Sequence, residues 1–157
     1  MMNEFDKETQ KRLRIVYHDL RAEVNEMLVA DLGKFDYIVH MAASSHVDRS
    51  ITDPAPFITN NVALIVNMLE LARKLKPTVF LQVSTDEVYG DLQDGVFDES
   101  SELKPSNPYS ATKAAADLLI QAYARTYDIE YIIARPSNNY GYFQYPEKLI
   151  PLFICAF

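Results

Sequence analysis

A chain of 157 residues, 48% hydrophobic and 24% charged, has the length and mix of one globular domain, which excludes a disordered tail, a collagen-like repeat and a coiled coil. Fifteen Lys and Arg against 22 Asp and Glu leave a net charge of −7, so no general attraction to nucleic acid or anionic lipid is expected. One cysteine, Cys155, excludes an internal disulfide and a cysteine-ligated zinc, and three scattered histidines have no metal-ligand spacing. There is no run of about 18 apolar residues to span a membrane. The first turns of chain, with Glu4, Asp6, Lys7, Glu8, Lys11, Arg12 and Arg14, hold no apolar core for a signal peptide. A soluble cytoplasmic protein is the expectation.

Taken in order, residues 14–18 (RIVYH) predict a short strand, and 22–32, with Val24, Met27, Leu28 and Leu32 at helical spacing, a helix that Gly33 stops. The apolar run 37–43 predicts a buried strand. Pro54 and Pro56 break the chain, and 57–76 predicts a long helix ended by Pro77. Residues 78–84 predict a strand, and 85–106 a loop or small hairpin. Pro108 opens a helix to about Tyr127, residues 129–135 form a further strand stopped by Pro136, and a loop to Pro146 precedes the start of another helix. Strands alternating with helices at this spacing predict an α/β fold, a doubly wound parallel sheet covered on both faces. Ligands of such sheets sit beyond the carboxyl ends of the strands. That places Asp19–Leu20, Met41–His46, Ser84–Glu87 and Ser137–Tyr140 along one edge.

Tyr109 and Lys113 are four apart, hence on one helix face. A phenol ionises near pH 10 and is a poor base at neutral pH; a nearby ammonium favours the phenolate, and the pair could then take a proton from a hydroxyl. Asp86 and Glu87 are adjacent carboxylates delivered by an apolar strand. Two close carboxylates resist ionising together, which puts an acid and a base in one place and suits elimination of water. Asn138 and Asn139 read alone as a turn. His40, inside an apolar strand, reads as a core histidine. His46, Asp48 and Arg49 read equally as a local ion-pair turn or as part of a site. The aromatics of 142–145 have no basic patch beside them and read as packing or substrate contact.

STDEVYG (84–90), PYSATKAAADLL (108–119), HMAASSHVDRSI (40–51) and SNNYGYFQYPEKLIP (137–151) together resemble the dTDP-glucose 4,6-dehydratases, extended short-chain dehydrogenases/reductases with a Rossmann-like NAD-binding domain. The resemblance runs from about Arg14 to Pro151. Tyr-x-x-x-Lys marks the whole superfamily, whereas Thr85-Asp86-Glu87 is more specific. The resemblance implies NAD as cofactor, a nucleotide-sugar substrate and a homodimer through helices 57–76 and 109–127. It implies that Tyr109, assisted by Lys113, deprotonates the sugar 4-hydroxyl while hydride leaves carbon 4, with Thr85 hydrogen-bonded to that oxygen. Glu87 then removes the carbon-5 proton, Asp86 protonates the departing 6-hydroxyl, and hydride returns to carbon 6. By the same resemblance Asp19 and Leu20 meet the adenine. Met41, Ala42, Ala43, Ser44, Ser45 and Asn60 line the cofactor. Ser45 and Asn138 approach the sugar, Asn139 the nicotinamide, and Lys148 and Leu149 the diphosphate.

There are departures from the family pattern. The four glycines, Gly33, Gly90, Gly95 and Gly141, form no Gly-x-x-Gly-x-x-Gly turn. The sequence matches the family from its third strand, so the expectation is a partial Rossmann domain over 1–157, lacking the first two strands and most of the carboxy-terminal domain, with the substrate-binding region beginning near 137. Asn60 stands for the usual Thr, Leu64-Ile65 for Gly-Thr and Tyr142 for Pro. Two alternatives stay open: a dehydratase of UDP-glucose, since the catalytic set does not read the base, and a non-catalytic module that pairs with another polypeptide.

Overall fold

The computed structural model describes residues 6–156. Of the amino-terminal stretch read for a leader, residues 1–5 lie outside the described residues. Three parallel strands, β1 (Tyr37–His40), β2 (Val79–Val83) and β3 (Tyr131–Ala134), lie in the order β1-β2-β3. The register pairs Val39 with Leu81 and Leu81 with Ile132. The helices are α1 (Lys7–Lys11), α2 (Glu26–Leu32), α3 (Val47–Thr52), α4 (Pro54–Leu75), α5 (Pro108–Tyr127) and α6 (Leu149–Ala156), with a 3-10 turn at Asp86–Tyr89.

The crossovers α4 and α5 pack on each other and on one face of the sheet. Ile65, Leu69 and Ala72 of α4 meet Ala116 and Ile120 of α5 over Ile38 and Phe80. Alternation along the strands follows from this: Ile38 and His40 are buried, while Val39 is 57% and Ile132 51% exposed on the opposite face. The expectation of a sheet covered on both faces is therefore corrected for the described residues. Both crossovers run over the same side, and the α/β parallel Rossmann-like architecture stands. One helix, α4, is long and apolar enough by length and composition to cross a membrane; here its Leu64, Ile65, Leu69, Leu71 and Ala72 are buried in the protein.

Segment 14–18 is not a strand. Among the described residues it runs without ladder partners, Tyr17 is 93% exposed, and Arg14 ties it down by pairing with Asp31. A strand exists only as part of a ladder, and among the described residues nothing pairs beyond β1 on that side. Helix α2 begins at Glu26 rather than 22, because the Asn25 side chain accepts from the Leu28 N–H at 2.9 Å and sets the start. Pro54 and Pro56 do not break the chain before a helix at 57. Pro54 begins α4, since a first-turn proline gives up no hydrogen bond. Helix α3, capped by His46, had no apolar periodicity to announce it, and residues 85–106 hold the 3-10 turn and a loop but no hairpin. The start and end of α5 match expectation, with a capping box at Asn107–Ser110 and Asp128 in the left-handed region at φ 57°.

Candidate active site

Apolar β2 carries Ser84–Glu87 out of the sheet. The Ser84 N–H donates to the Ala134 carbonyl at 2.7 Å and the Asp86 N–H to the Pro136 carbonyl at 3.2 Å, so the segment stays tied to the chain beyond β3. Thr85 then caps the 3-10 turn, its Oγ1 accepting from the Glu87 N–H at 3.3 Å and donating to Asp86 Oδ1 at 3.3 Å. Gly90, at φ 84°, ends the turn, and a Cβ there would overlap the Lys104 carbonyl. Asp86 is exposed and Glu87 half-buried, with Glu87 Oε2 accepting from Asn107 Nδ2 at 3.1 Å.

Tyr109 and Lys113 rise from the first turns of α5. The Tyr109 N–H donates to Oγ of fully buried Ser50 in α3 at 3.2 Å, so α3 fixes where α5 starts. Burial, then Glu87 and Asp86, push the Tyr109 phenol above its ordinary value of 10.0. The expected lowering by Lys113 is thus corrected: the ammonium donates to the Val83 carbonyl at 2.6 Å, and the nearby charges that act on the phenol are carboxylates. Burial lowers the Lys113 ammonium, and Asp117, one turn along the same face, opposes that.

Asp117 belongs to a buried polar layer that sequence reasoning missed. It is 0% exposed and pairs with Arg135 Nε at 2.9 Å, while Arg135 donates to the Tyr89 hydroxyl at 2.7 Å and lies over that ring. Burial raises the Asp117 carboxyl; Arg135, Ser84 and Lys113 oppose it, although the Ser84 hydroxyl stops short of hydrogen-bond geometry. The available signals were Asp117 four residues after Lys113 and a lone Arg135 between an apolar strand and Pro136. His40, buried as expected, donates from Nδ1 to Gln82 Oε1 at 2.7 Å. That direction follows because the Gln82 amide donates to Val83 at 3.0 Å, leaving its oxygen as the acceptor.

These elements border one cleft of about 510 Å³. Ser45, Thr85, Glu87, Tyr109, Asn138, Asn139, Lys148 and Leu149 all line it, so three of the four predicted strand-end segments converge. Asp86 and Lys113 stand beside it rather than in its wall. His46 and Arg49 both face Glu147, at 3.7 and 3.5 Å, so the reading of a local ion-pair turn is corrected to contacts with the distant segment before α6, and His46 and Asp48 line the cleft. Met41, Ala42, Ala43 and Ser44 form the loop after β1. Its Ser44 is held by Asn61, which accepts from the Ser44 N–H at 2.8 Å and donates to its carbonyl at 3.0 Å, and by Asn60, which donates to its hydroxyl at 2.9 Å. Asp19 and Leu20 are not brought to the cleft wall. The Asp19 carboxyl is held down at about 2 by Arg21, and the Leu20 carbonyl accepts from Asn67 of α4 at 2.8 Å.

Residues 2–157 match the family described as GDP-mannose 4,6 dehydratase. The chain belongs to that family. A low-salt glycan biosynthesis protein of Haloferax volcanii is 51% identical over 142 residues, 90% of this chain and 45% of that one. A probable dTDP-glucose 4,6-dehydratase of Sinorhizobium fredii is 50% identical over 152 residues, 88% of this chain and 43% of that one. Among solved structures, a double mutant of DesIV, a dTDP-glucose 4,6-dehydratase from Streptomyces venezuelae with NAD bound, superposes with a TM-score of 0.85 at 45% identity, covering 92% of this chain and 44% of that one. The chain thus spans under half the length of these relatives.

The departures from the dTDP-glucose 4,6-dehydratase pattern noted above have structural places here. Leu64 and Ile65 are both buried in α4 and fill core volume. Asn60 reaches Ser44, and Tyr142 stands almost wholly exposed on the loop before α6.

Proposed function

We propose that this chain carries the catalytic half of an NAD-dependent dTDP-glucose 4,6-dehydratase, a hydro-lyase forming the 4-keto-6-deoxy sugar nucleotide. The observation that carries the reading is the convergence of Thr85, Glu87 and Tyr109 on one cleft, with Asp86 bonded to Thr85 and Lys113 to Val83. The residues present fit a nicotinamide cofactor at its reactive end. Beyond the carboxyl end of β1 the Asn61-pinned loop leads into the cleft at Ser45, and Asn139 lies on the far wall. Met41–Ser45, Asn60, Asn139, Tyr109 and Lys113 would hold it, with Asp19 and Leu20 towards the adenine. Held there, NAD would supply the hydride acceptor for carbon 4 and the hydride donor for carbon 6.

The chain's own groups handle the protons. Tyr109 takes the proton of the 4-hydroxyl, and Thr85 Oγ1, turned from Asp86, donates to the same oxygen. The Lys113 ammonium, which rests on the Val83 carbonyl here, would turn to the phenol once cofactor and sugar are bound and supply the positive charge that the phenolate requires; Val83 keeps its bond from Gln82. The carbon-4 ketone acidifies the carbon-5 proton, which Glu87 accepts, Asp86 protonates the departing 6-hydroxyl, and Glu87 returns a proton to carbon 5 when hydride has reached carbon 6. Ser45 and Asn138 would orient the sugar, and Lys148 and Leu149 the diphosphate, in a substrate region starting near 137 on a partial Rossmann domain. The catalytic set serves UDP-glucose equally. A homodimer through α4 and α5 and a cytoplasmic setting complete the reading.

A second reading, an association module without turnover, is favoured by the open apolar sheet face with Val39 and Ile132. Titration with NAD separates the two, because only the enzyme must hold it. The deciding experiment for the first is Glu87→Gln with dTDP-glucose and NAD in deuterated water. Reduction of NAD should persist while deuterium no longer enters at carbon 5; unchanged incorporation would sink the role given to Glu87.

A further inference from the structure

The Asn107 side chain faces two ways. Its Oδ1 accepts from the Ser110 N–H at 2.8 Å, which caps α5, and its Nδ2 donates to Glu87 Oε2 at 3.1 Å. The partners determine the amide orientation chemically: a backbone N–H only donates, and an ionised carboxylate only accepts. Ser110 Oγ closes the capping box by accepting from the Asn107 N–H at 3.2 Å. Ser or Asp would cap the helix as well as Asn does. What Asn adds is a donor that reaches across to the turn after β2.

We propose that Asn107 is a positioning residue for Glu87, tethering one carboxylate oxygen to the start of the helix that carries Tyr109. This rests on the reading of Glu87 as the carbon-5 base. A glutamate has three rotatable bonds, and Glu87 stands half-exposed on a cleft wall. Tethering Oε2 restricts those rotations and turns the remaining oxygen to the cleft. Because Tyr109 sits two residues after Asn107 on the same helical turn, base and phenol then move as one body. The oxidised sugar meets a base already in place, without the entropy cost of ordering it at each turnover.

The test uses the full chain with Asn107→Ser and Asn107→Asp, both of which keep the cap acceptor and lose the amide donor. In Asn107→Ser, kcat should fall about tenfold with KM and the thermal midpoint unchanged, and carbon-5 exchange should fall in parallel. Asn107→Asp, which sets a like charge against Glu87, should lose more. A retained kcat in Asn107→Ser, or a loss matched by loss of folded protein, overturns the proposal. Independently of turnover, the Asn107 side-chain amide protons should resonate downfield of a free amide and return in Glu87→Leu, which has no acceptor. A free-amide position in the wild-type chain overturns the tether even where the chain turns nothing over, whereas absent turnover with a downfield amide counts against the reading of Glu87 and leaves the tether standing.

Discussion

Lys113 donates its ammonium to the Val83 carbonyl at 2.6 Å, joining the first turns of α5 to the last residue of β2. The same carbonyl also accepts from Gln82 Nε2 at 3.0 Å. Removing the ammonium therefore leaves no orphaned acceptor. Lys113→Met should unfold within about 1 kcal/mol of wild type in urea, while turnover falls by about a hundredfold or more. A large loss of stability would mean that Lys113 is chiefly structural.

The Asp117–Arg135 pair is buried, and its two halves are unequal in isolation. Arg135→Met strands a carboxylate of 0% exposure and should cost about 3–5 kcal/mol. Asp117→Leu together with Arg135→Met should recover most of that, because two apolar groups leave no unpaired charge. Chemical denaturation of the two variants checks the order.

His40 makes stability depend on pH. Burial holds its imidazole below the ordinary 6.5; the Gln82 hydrogen bond opposes this, and the Lys113 charge, the smallest effect, adds to it. The unfolded chain then binds the proton first. Stability is full above about pH 6.5 and declines as pH falls through the lower folded value, by no more than about 1.4 kcal/mol per pH unit. Urea midpoints between about pH 7.5 and 5.5 should follow that slope, and His40→Asn should flatten it.

Gly90 ends the turn that presents Glu87. It lies at φ 84°, and an added Cβ would overlap the Lys104 carbonyl, backbone that cannot swing aside. Gly90→Ala should destabilise by about 2 kcal/mol or more and displace the turn, so activity per folded molecule should fall as well. An unchanged thermal midpoint would contradict this.

Periodicity and proline placement made the crossover order legible, and α5 was readable at both ends because Pro108 and the AAADLLIQAYA run act locally. Asp86, Glu87, Tyr109 and Lys113 stood out by residue type and spacing, whereas Thr85 was singled out by the family resemblance. Segment 14–18 was misread because its β pattern is local whereas a ladder needs a neighbour. The Tyr109 ionisation was misread because spacing puts Lys113 near and says nothing of where its ammonium turns. Asn61, Asn107 and Arg135 were missed for the same reason: their partners Ser44, Glu87 and Asp117 lie 17, 20 and 18 positions away in the chain.

What the sequence determined by itself is what depends on near neighbours: both ends of α5, the C-terminal end of α4, the alternation of strand and helix, and the identities of the groups that could carry protons. Tertiary structure alone decided which side of the sheet is covered, that three strand ends meet at one cleft, and which charges act on Tyr109. Those outcomes rest on contacts between segments far apart in the chain, where burial and hydrogen-bond direction are set by packing.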